Sequence, residues 1–179
     1  ASVRFINENA DTPFFLFLSY NAPHLPLAAT QNYLDRFPDL SGKRKTYAAM
    51  VSAVDDGVGK TLDALREHGI FDDTLVFFLS DNGGPHLKNA SNNSPLRGGK
   101  SDVWEGGYRV PFAARYPHDI APGTTYTHPV SSLDIFATIA ELANTPIDPD
   151  RSLDGVNLLP YLNGTKKGVP HNAIYIRCL

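Results

Sequence analysis

The 179-residue chain is long enough for one ordinary domain, and its 42% hydrophobic and 20% charged residues set a globular balance that excludes global disorder. A formal net charge of −3 leaves no broad basic footprint for nucleic acid. No apolar run reaches the roughly 20 residues that span a bilayer, and a single cysteine, Cys178, excludes internal disulfides and thiolate metal clusters. The first residues carry no signal-peptide pattern, so composition leaves the compartment open.

The first element signal is Phe14–Tyr20 (FFLFLSY), a nearly continuous apolar run between Asp11-Thr12-Pro13 and Asn21-Ala22-Pro23. It predicts an inner strand of a covered sheet, with His24 in the exit loop. From Tyr47 the period changes. Tyr47, Met50, Val51, Val54, Val58, Leu62 and Leu65 recur at three- and four-residue steps and predict an amphipathic helix that stops near His68-Gly69. A strand over Leu75–Ser80 follows after a short turn, and the helix between the two strands is long enough for a crossover between parallel strands.

Pro85–Arg109 has little periodicity and is rich in glycine and small polar residues, which predicts a long functional loop. Val110–Tyr116 is a further strand candidate. Ser131–Asn144 reads as a helix, with Ser131 or Ser132 as its cap and Asp134 in the first turn. Turn-rich sequence runs from Pro146 to Gly168, and Ile174–Ile176 looks like the start of another strand. The mixture predicts an α/β fold without an internal boundary or repeat. Sequons begin at Asn89, Asn92 and Asn163 and matter only in a glycosylating pathway.

The strand at Leu75–Ser80 ends in Asp81-Asn82-Gly83-Gly84, two oxygen-bearing side chains on a glycine turn. Oxygen donors with one carboxylate suit Ca²⁺ or Mg²⁺, although Asp-Asn-Gly after a strand is more often a plain turn. In α/β folds, ligands gather where strands end, and His24 follows the end of the other predicted strand. Two prolines, Pro23 and Pro26, stiffen its loop, and a histidine there suits acid or base work. Lys100 follows Arg97-Gly98-Gly99 and reads either as a solvated basic loop or as a cation that closes over an anion.

Four ordered blocks, PFFLFLSYNAPHLP (Pro13–Pro26), TYAAMVSAVDDGVGKTLDAL (Thr46–Leu65), DTLVFFLSDNGG (Asp73–Gly84) and PLRGGKSDVWEGGYRVPF (Pro95–Phe112), resemble the sulfatases of the alkaline-phosphatase-like superfamily. SSLDIFATIAEL (Ser131–Leu142) is similar to a later helix of that family. The resemblance implies a layered α/β fold with a central, mostly parallel or mixed sheet flanked by helices, here incomplete. Over residues 1–179 it implies a partial catalytic domain, its middle and later part. Asp81 and Asn82 match metal ligands, usually to Ca²⁺ and less often to Mg²⁺. His24 matches the histidine that helps protonate the leaving oxygen, and Lys100 the lysine that binds a sulfate oxygen near it.

Arg97, Trp104 and Glu105 match positions that shape the site, and Asp55 a structural residue of the long helix. His86 and His128 are candidates for lining a substrate pocket. The family's nucleophile is a formylglycine made from the C/S-x-P-S/A-R motif, and no such motif occurs in these 179 residues. The chain therefore reads as a fragment of a sulfatase, acting in its parent on a sulfated small molecule or sugar and inactive alone. A periplasmic, secreted or lysosomal-type compartment is what the family implies. A phosphodiesterase or phosphonate hydrolase of the same superfamily is the first alternative. A non-catalytic remnant that binds a sulfated ligand is the second.

Overall fold

In the computed structural model, which describes residues 1–148 and 150–177, the chain opens with a helix that no sequence signal announced, α1 (Ser2–Asn9). Its one buried residue, Ile6, is fully enclosed, and Phe5 meets Phe14 edge-on at 5.6 Å. The run Phe14–Tyr20 forms no strand. Burial alternates along it, leaving Phe15 and Phe17 65% and 79% exposed, so the expectation of an inner strand covered on both faces is corrected. The physical reason is the lack of a ladder: no segment among the described residues pairs with it, and an apolar run alone does not satisfy backbone hydrogen bonds. Tyr20 instead packs against the side-chain-free face of Gly57.

A single turn of helix, α2 (Gln31–Leu34), precedes the long helix α3 (Gly42–Glu67) that the apolar stripe predicts. Ala49, Met50, Ala64 and Leu65 are its buried residues; burying side chains the size of Met50 and Leu65 contributes about 1.5–3 kcal/mol each. Val51, although in the predicted stripe, is exposed. The stop at Gly69 is as predicted: Gly69 N–H bonds to Arg66 O at 3.0 Å and Ile70 N–H to Leu65 O at 3.0 Å, with Gly69 at φ +70°. That double bond pattern is a Schellman cap, and the left-handed φ suits glycine. Arg36 grips Asp56 of α3 through both guanidinium nitrogens (2.9 and 2.7 Å), and Tyr33 Oη donates to the same carboxylate at 3.1 Å. The Arg36 hydrogen bonds hold the Asp56 carboxyl below its usual range.

The described contacts divide into two units, one built from Ala1–Thr74 with Ser80–Pro111 and the other from Leu75–Leu79 with Phe112–Arg177. Two more single-turn helices, α4 (His86–Asn89) and α5 (Glu105–Tyr108), complete the first unit within the predicted loop. The second unit holds β1 (Val76–Leu79) and β2 (Phe112–Arg115), both shorter than predicted. They pair antiparallel, Val76 opposite Arg115 and Leu79 opposite Phe112, so the parallel crossover expected between residue 14 and residue 80 is absent among the described residues.

Helix α6 (Leu133–Leu142) lies where its pattern placed it. Ser131, not Ser132, caps it: Ser131 Oγ accepts from Leu133 N–H at 3.2 Å, and Asp134 Oδ2 accepts from Ser131 N–H at 2.7 Å. This reciprocal arrangement is a capping box with Asp134 in the acidic position. Asp134 is fully buried because its other oxygen is also satisfied, by Val156 N–H at 2.9 Å and His171 Nε2 at 2.7 Å. A final turn, α7 (Leu159–Leu162), follows Leu158, whose N–H bonds to the buried Thr138 Oγ1 at 2.9 Å. No strand forms at Ile174–Ile176, and Cys178 lies outside the described residues. Among the described residues no helix is long and apolar enough to cross a membrane.

Candidate functional site

Asp81, Asn82, His24 and Lys100 all belong to the first unit. The chain leaves β1 at Leu79, and Ser80 anchors the turn that follows: its N–H bonds to Pro111 O at 3.2 Å and its Oγ to Asn82 O at 2.9 Å. Asn82 Nδ2 donates to Asp81 Oδ2, so the two side chains lie side by side. No other hydrogen bond engages these side chains among the described residues.

The glycines after this ledge do more than make the turn that their sequence suggests. They admit other backbone. Gly83 N–H donates to Gly107 O at 2.8 Å, and a Cβ on Gly83 would stand 1.7 Å from Gly106 O. Gly99 approaches Gly84 in the same way, with a Cβ position 2.4 Å from Gly84 O. The Gly83-Gly84 turn and the loop carrying Lys100 therefore pack main chain against main chain.

Two residues that sequence reading passed over hold this contact in register. Asn93 Oδ1 accepts from Gly84 N–H at 3.0 Å, while its Nδ2 donates to Gly84 O at 2.8 Å and to Gly98 O at 3.0 Å. Asp102 Oδ2 accepts from Gly99 N–H at 2.8 Å and fixes the turn that presents Lys100. The signal was an Asn and an Asp bracketing a glycine pair, where side chains readily bond to nearby backbone. Asn93→Ala leaves three backbone groups without this partner and is expected to cost about 1–3 kcal/mol, read as a lower unfolding midpoint in denaturant. Exchange of the Gly84 amide hydrogen should quicken along with it.

Lys100 and His24, 76 residues apart in sequence, meet: Lys100 Nζ lies 3.3 Å from His24 Nε2. The other ring nitrogen, Nδ1, sits 2.8 Å from Leu25 O, which only accepts. The proton of a neutral His24 therefore resides on Nδ1, and Nε2 offers its lone pair to the Lys100 ammonium. The prolines of the His24 loop are joined through cis bonds at Ala22-Pro23 and Leu25-Pro26.

Arg97 stacks on Trp104, guanidinium carbon 3.8 Å from the ring centroid, and Glu105 pairs with Arg109 at 3.1 Å. Both contacts lie within the loop that carries Lys100. Asp55 is exposed on α3. His86 begins α4, with Nδ1 3.3 Å from the Cβ position of Gly99, while His128 in the second unit meets Tyr126 edge-on at 5.5 Å. The Asn89 sequon is buried, its Oδ1 accepting from Ser91 N–H at 3.0 Å.

The ledge fits a hard cation as a partial shell. One carboxylate and one amide oxygen are the right donor type, but Ca²⁺ takes about six to eight oxygens. Among the described residues no group of three or more His, Cys, Asp or Glu side chains converges.

A sulfatase family model matches residues 1–145. Human steryl-sulfatase is 36% identical over 187 residues, covering 99% of this chain and 31% of the relative. The crystal structure of Ps i-CgsB in complex with k-i-k-neocarrahexaose superposes with a TM-score of 0.89 at 43% identity, over 95% of this chain and 38% of that one. A phosphonate monoester hydrolase from Silicibacter pomeroyi is more distant, with a TM-score of 0.56 at 29% identity, over 72% of this chain and 25% of that one. The chain belongs to the sulfatase family, a family of sulfuric ester hydrolases. Its fold is the alkaline-phosphatase-like α/β fold of these neighbours, and it spans about a third of the length of the relatives it matches.

Proposed function

We propose that these residues supply the leaving-group side and part of the metal shell of a sulfatase active site that hydrolyses sulfate monoesters, with Asp81 and Asn82 as ligands to Ca²⁺. The observation that carries this reading is the meeting of Lys100 with His24 at 3.3 Å. Side chains from two distant segments meet at one point, and once His24 Nε2 carries a proton both can donate there, which is what an anionic ester oxygen needs.

The chemistry follows from charge. Cleavage builds negative charge on the departing oxygen, while the sulfuryl oxygens must be held and partly neutralised. In the free protein Lys100 donates to His24 Nε2. When a sulfate ester enters, Lys100 turns its N–H groups to the ester oxygens; His24 Nε2, freed of that bond, takes a proton from solvent and passes it to the leaving oxygen as the S–O bond breaks, which returns the ring to neutral. Leu25 O keeps the ring oriented throughout, because it accepts from Nδ1–H in both protonation states. Asp81 and Asn82 would hold the cation through oxygen, and a bound Ca²⁺ would neutralise sulfuryl charge. Formylglycine, when present, supplies the attacking oxygen in this family, and it would come from residues outside these 179.

The class of substrate in this proposal is a sulfated sugar or a sulfated small molecule. The complex of Ps i-CgsB with an oligosaccharide, at 43% identity, supports the sugar. A secreted, periplasmic or lysosomal-type compartment belongs to the same proposal. The test is a Ca²⁺ titration of sulfatase activity in the full-length protein after chelation. Asp81→Ala should raise the Ca²⁺ concentration for half-activation by at least about tenfold, one lost charged ligand contributing roughly 1.5–3 kcal/mol. An unchanged titration would remove Asp81 from the metal shell.

A further inference from the structure

We propose that a cleft beside His24 seats a second, sulfate-bearing sugar unit of the substrate, with Lys43 and Lys88 reading its charge. This rests on the sulfatase reading above and specifies the substrate as multiply sulfated. The cleft has a volume of about 580 Å³, and one wall is Leu25–Leu27, the residues immediately after His24. The second wall is the first turn of α3, with Lys43 and Thr46. The third is α4, with Leu87 and Lys88.

Three features make it a reader of anionic sugar. Its only charged side chains are the two lysines, both exposed and without an ion pair among the described residues; no acidic residue lines it. Its remaining surface is largely apolar, from Leu25, Pro26, Leu27 and the 87%-exposed Leu87, which suits the C–H faces of a pyranose ring. Its walls are also tied together: Arg44, next to Lys43 on α3, donates through Nη1 to Ala90 O at the end of α4 at 2.9 Å. That bond sets the spacing of the lysines without using either of them. An apolar peptide would gain nothing from the lysines, and a small monosulfate held at His24 would not reach beyond its own ester. A sulfated neighbouring sugar uses both surfaces.

The experiment compares the full-length wild type with the double variant Lys43→Ala/Lys88→Ala on three probes. They are 4-nitrophenyl sulfate, a singly sulfated carrageenan hexasaccharide and a multiply sulfated one. The double variant should raise KM about tenfold or more for the multiply sulfated hexasaccharide alone, with kcat and the 4-nitrophenyl sulfate rate unchanged within twofold. Added salt should raise the wild-type KM for that probe and leave the variant's nearly constant. An equal loss on all three probes, or a KM change below twofold on the multiply sulfated one, would overturn the cleft. If the wild type turns over none of them, it is the sulfatase reading that has failed. Titration calorimetry with the multiply sulfated hexasaccharide then decides the cleft: weaker binding by the double variant supports it, and equal binding overturns it.

Discussion

His24→Ala in the full-length protein is expected to lower kcat/KM by about 10²–10⁴ on a sulfated sugar and far less on 4-nitrophenyl sulfate. The difference comes from the leaving group. A sugar alkoxide is strongly basic and must be protonated as the S–O bond breaks, whereas nitrophenolate departs without help. An imidazole whose only task was to hold the ester in place would cost both substrates alike. A plot of log kcat/KM against leaving-group pKa should therefore be steeper for His24→Ala than for the wild type. Parallel plots would leave His24 with a binding role only.

Gly83→Ala carries the largest expected structural effect. A methyl group at this buried position would lie 1.7 Å from Gly106 O and 3.1 Å from Gly107 Cα, both main-chain atoms with no rotamer to change. Overpacking typically costs about 1–3 kcal/mol, and a rigid backbone neighbour places this site at or above the upper end. The Gly83 N–H bond to Gly107 O at 2.8 Å would open with it. Two readouts should move together: a lower unfolding midpoint and weaker Ca²⁺ activation, because Asp81 and Asn82 precede the displaced turn. Gly59→Ala, within α3 and with nothing within 4 Å of its Cβ position, serves as the control: it should leave Ca²⁺ activation unchanged and raise rather than lower the unfolding midpoint.

What the sequence made legible was whatever is encoded locally. The stripe from Tyr47 to Leu65 specified α3, and Gly69 its Schellman stop, because period and cap are properties of neighbouring residues. The start of α6 was legible as a cap at Ser131 or Ser132 with Asp134 in the first turn; which serine caps, and the bond back from Asp134, are seen only in the fold. Strand pairing was not. Phe14–Tyr20 has every mark of a buried strand, yet strand formation depends on a partner that its own residues do not specify. The single-turn helices α2, α4, α5 and α7 are too short for a period to show.

In the candidate site, the types of residue were legible and their contacts were not. Asp81-Asn82 announced oxygen donors, and the blocks around His24 and Lys100 resembled a family. That Lys100 would approach His24 Nε2 is a long-range fact, and so is the role of Asn93 in joining the Gly83-Gly84 turn to the loop that presents Lys100. The glycines after Asp81-Asn82 read as a turn. Their main use here is freedom to approach Gly106 and Gly107.

The proposal that His24 and Lys100 act together on one leaving oxygen is tested most directly by a double-mutant cycle on a sulfated sugar. The variants are His24→Ala, Lys100→Ala and the pair, made in the full-length protein. If the two side chains work as one unit, the double variant should be little slower than the slower single variant, since each alone already removes most of the shared effect. Two single effects that multiply in the double variant, or singles that leave kcat/KM unchanged, would contradict it.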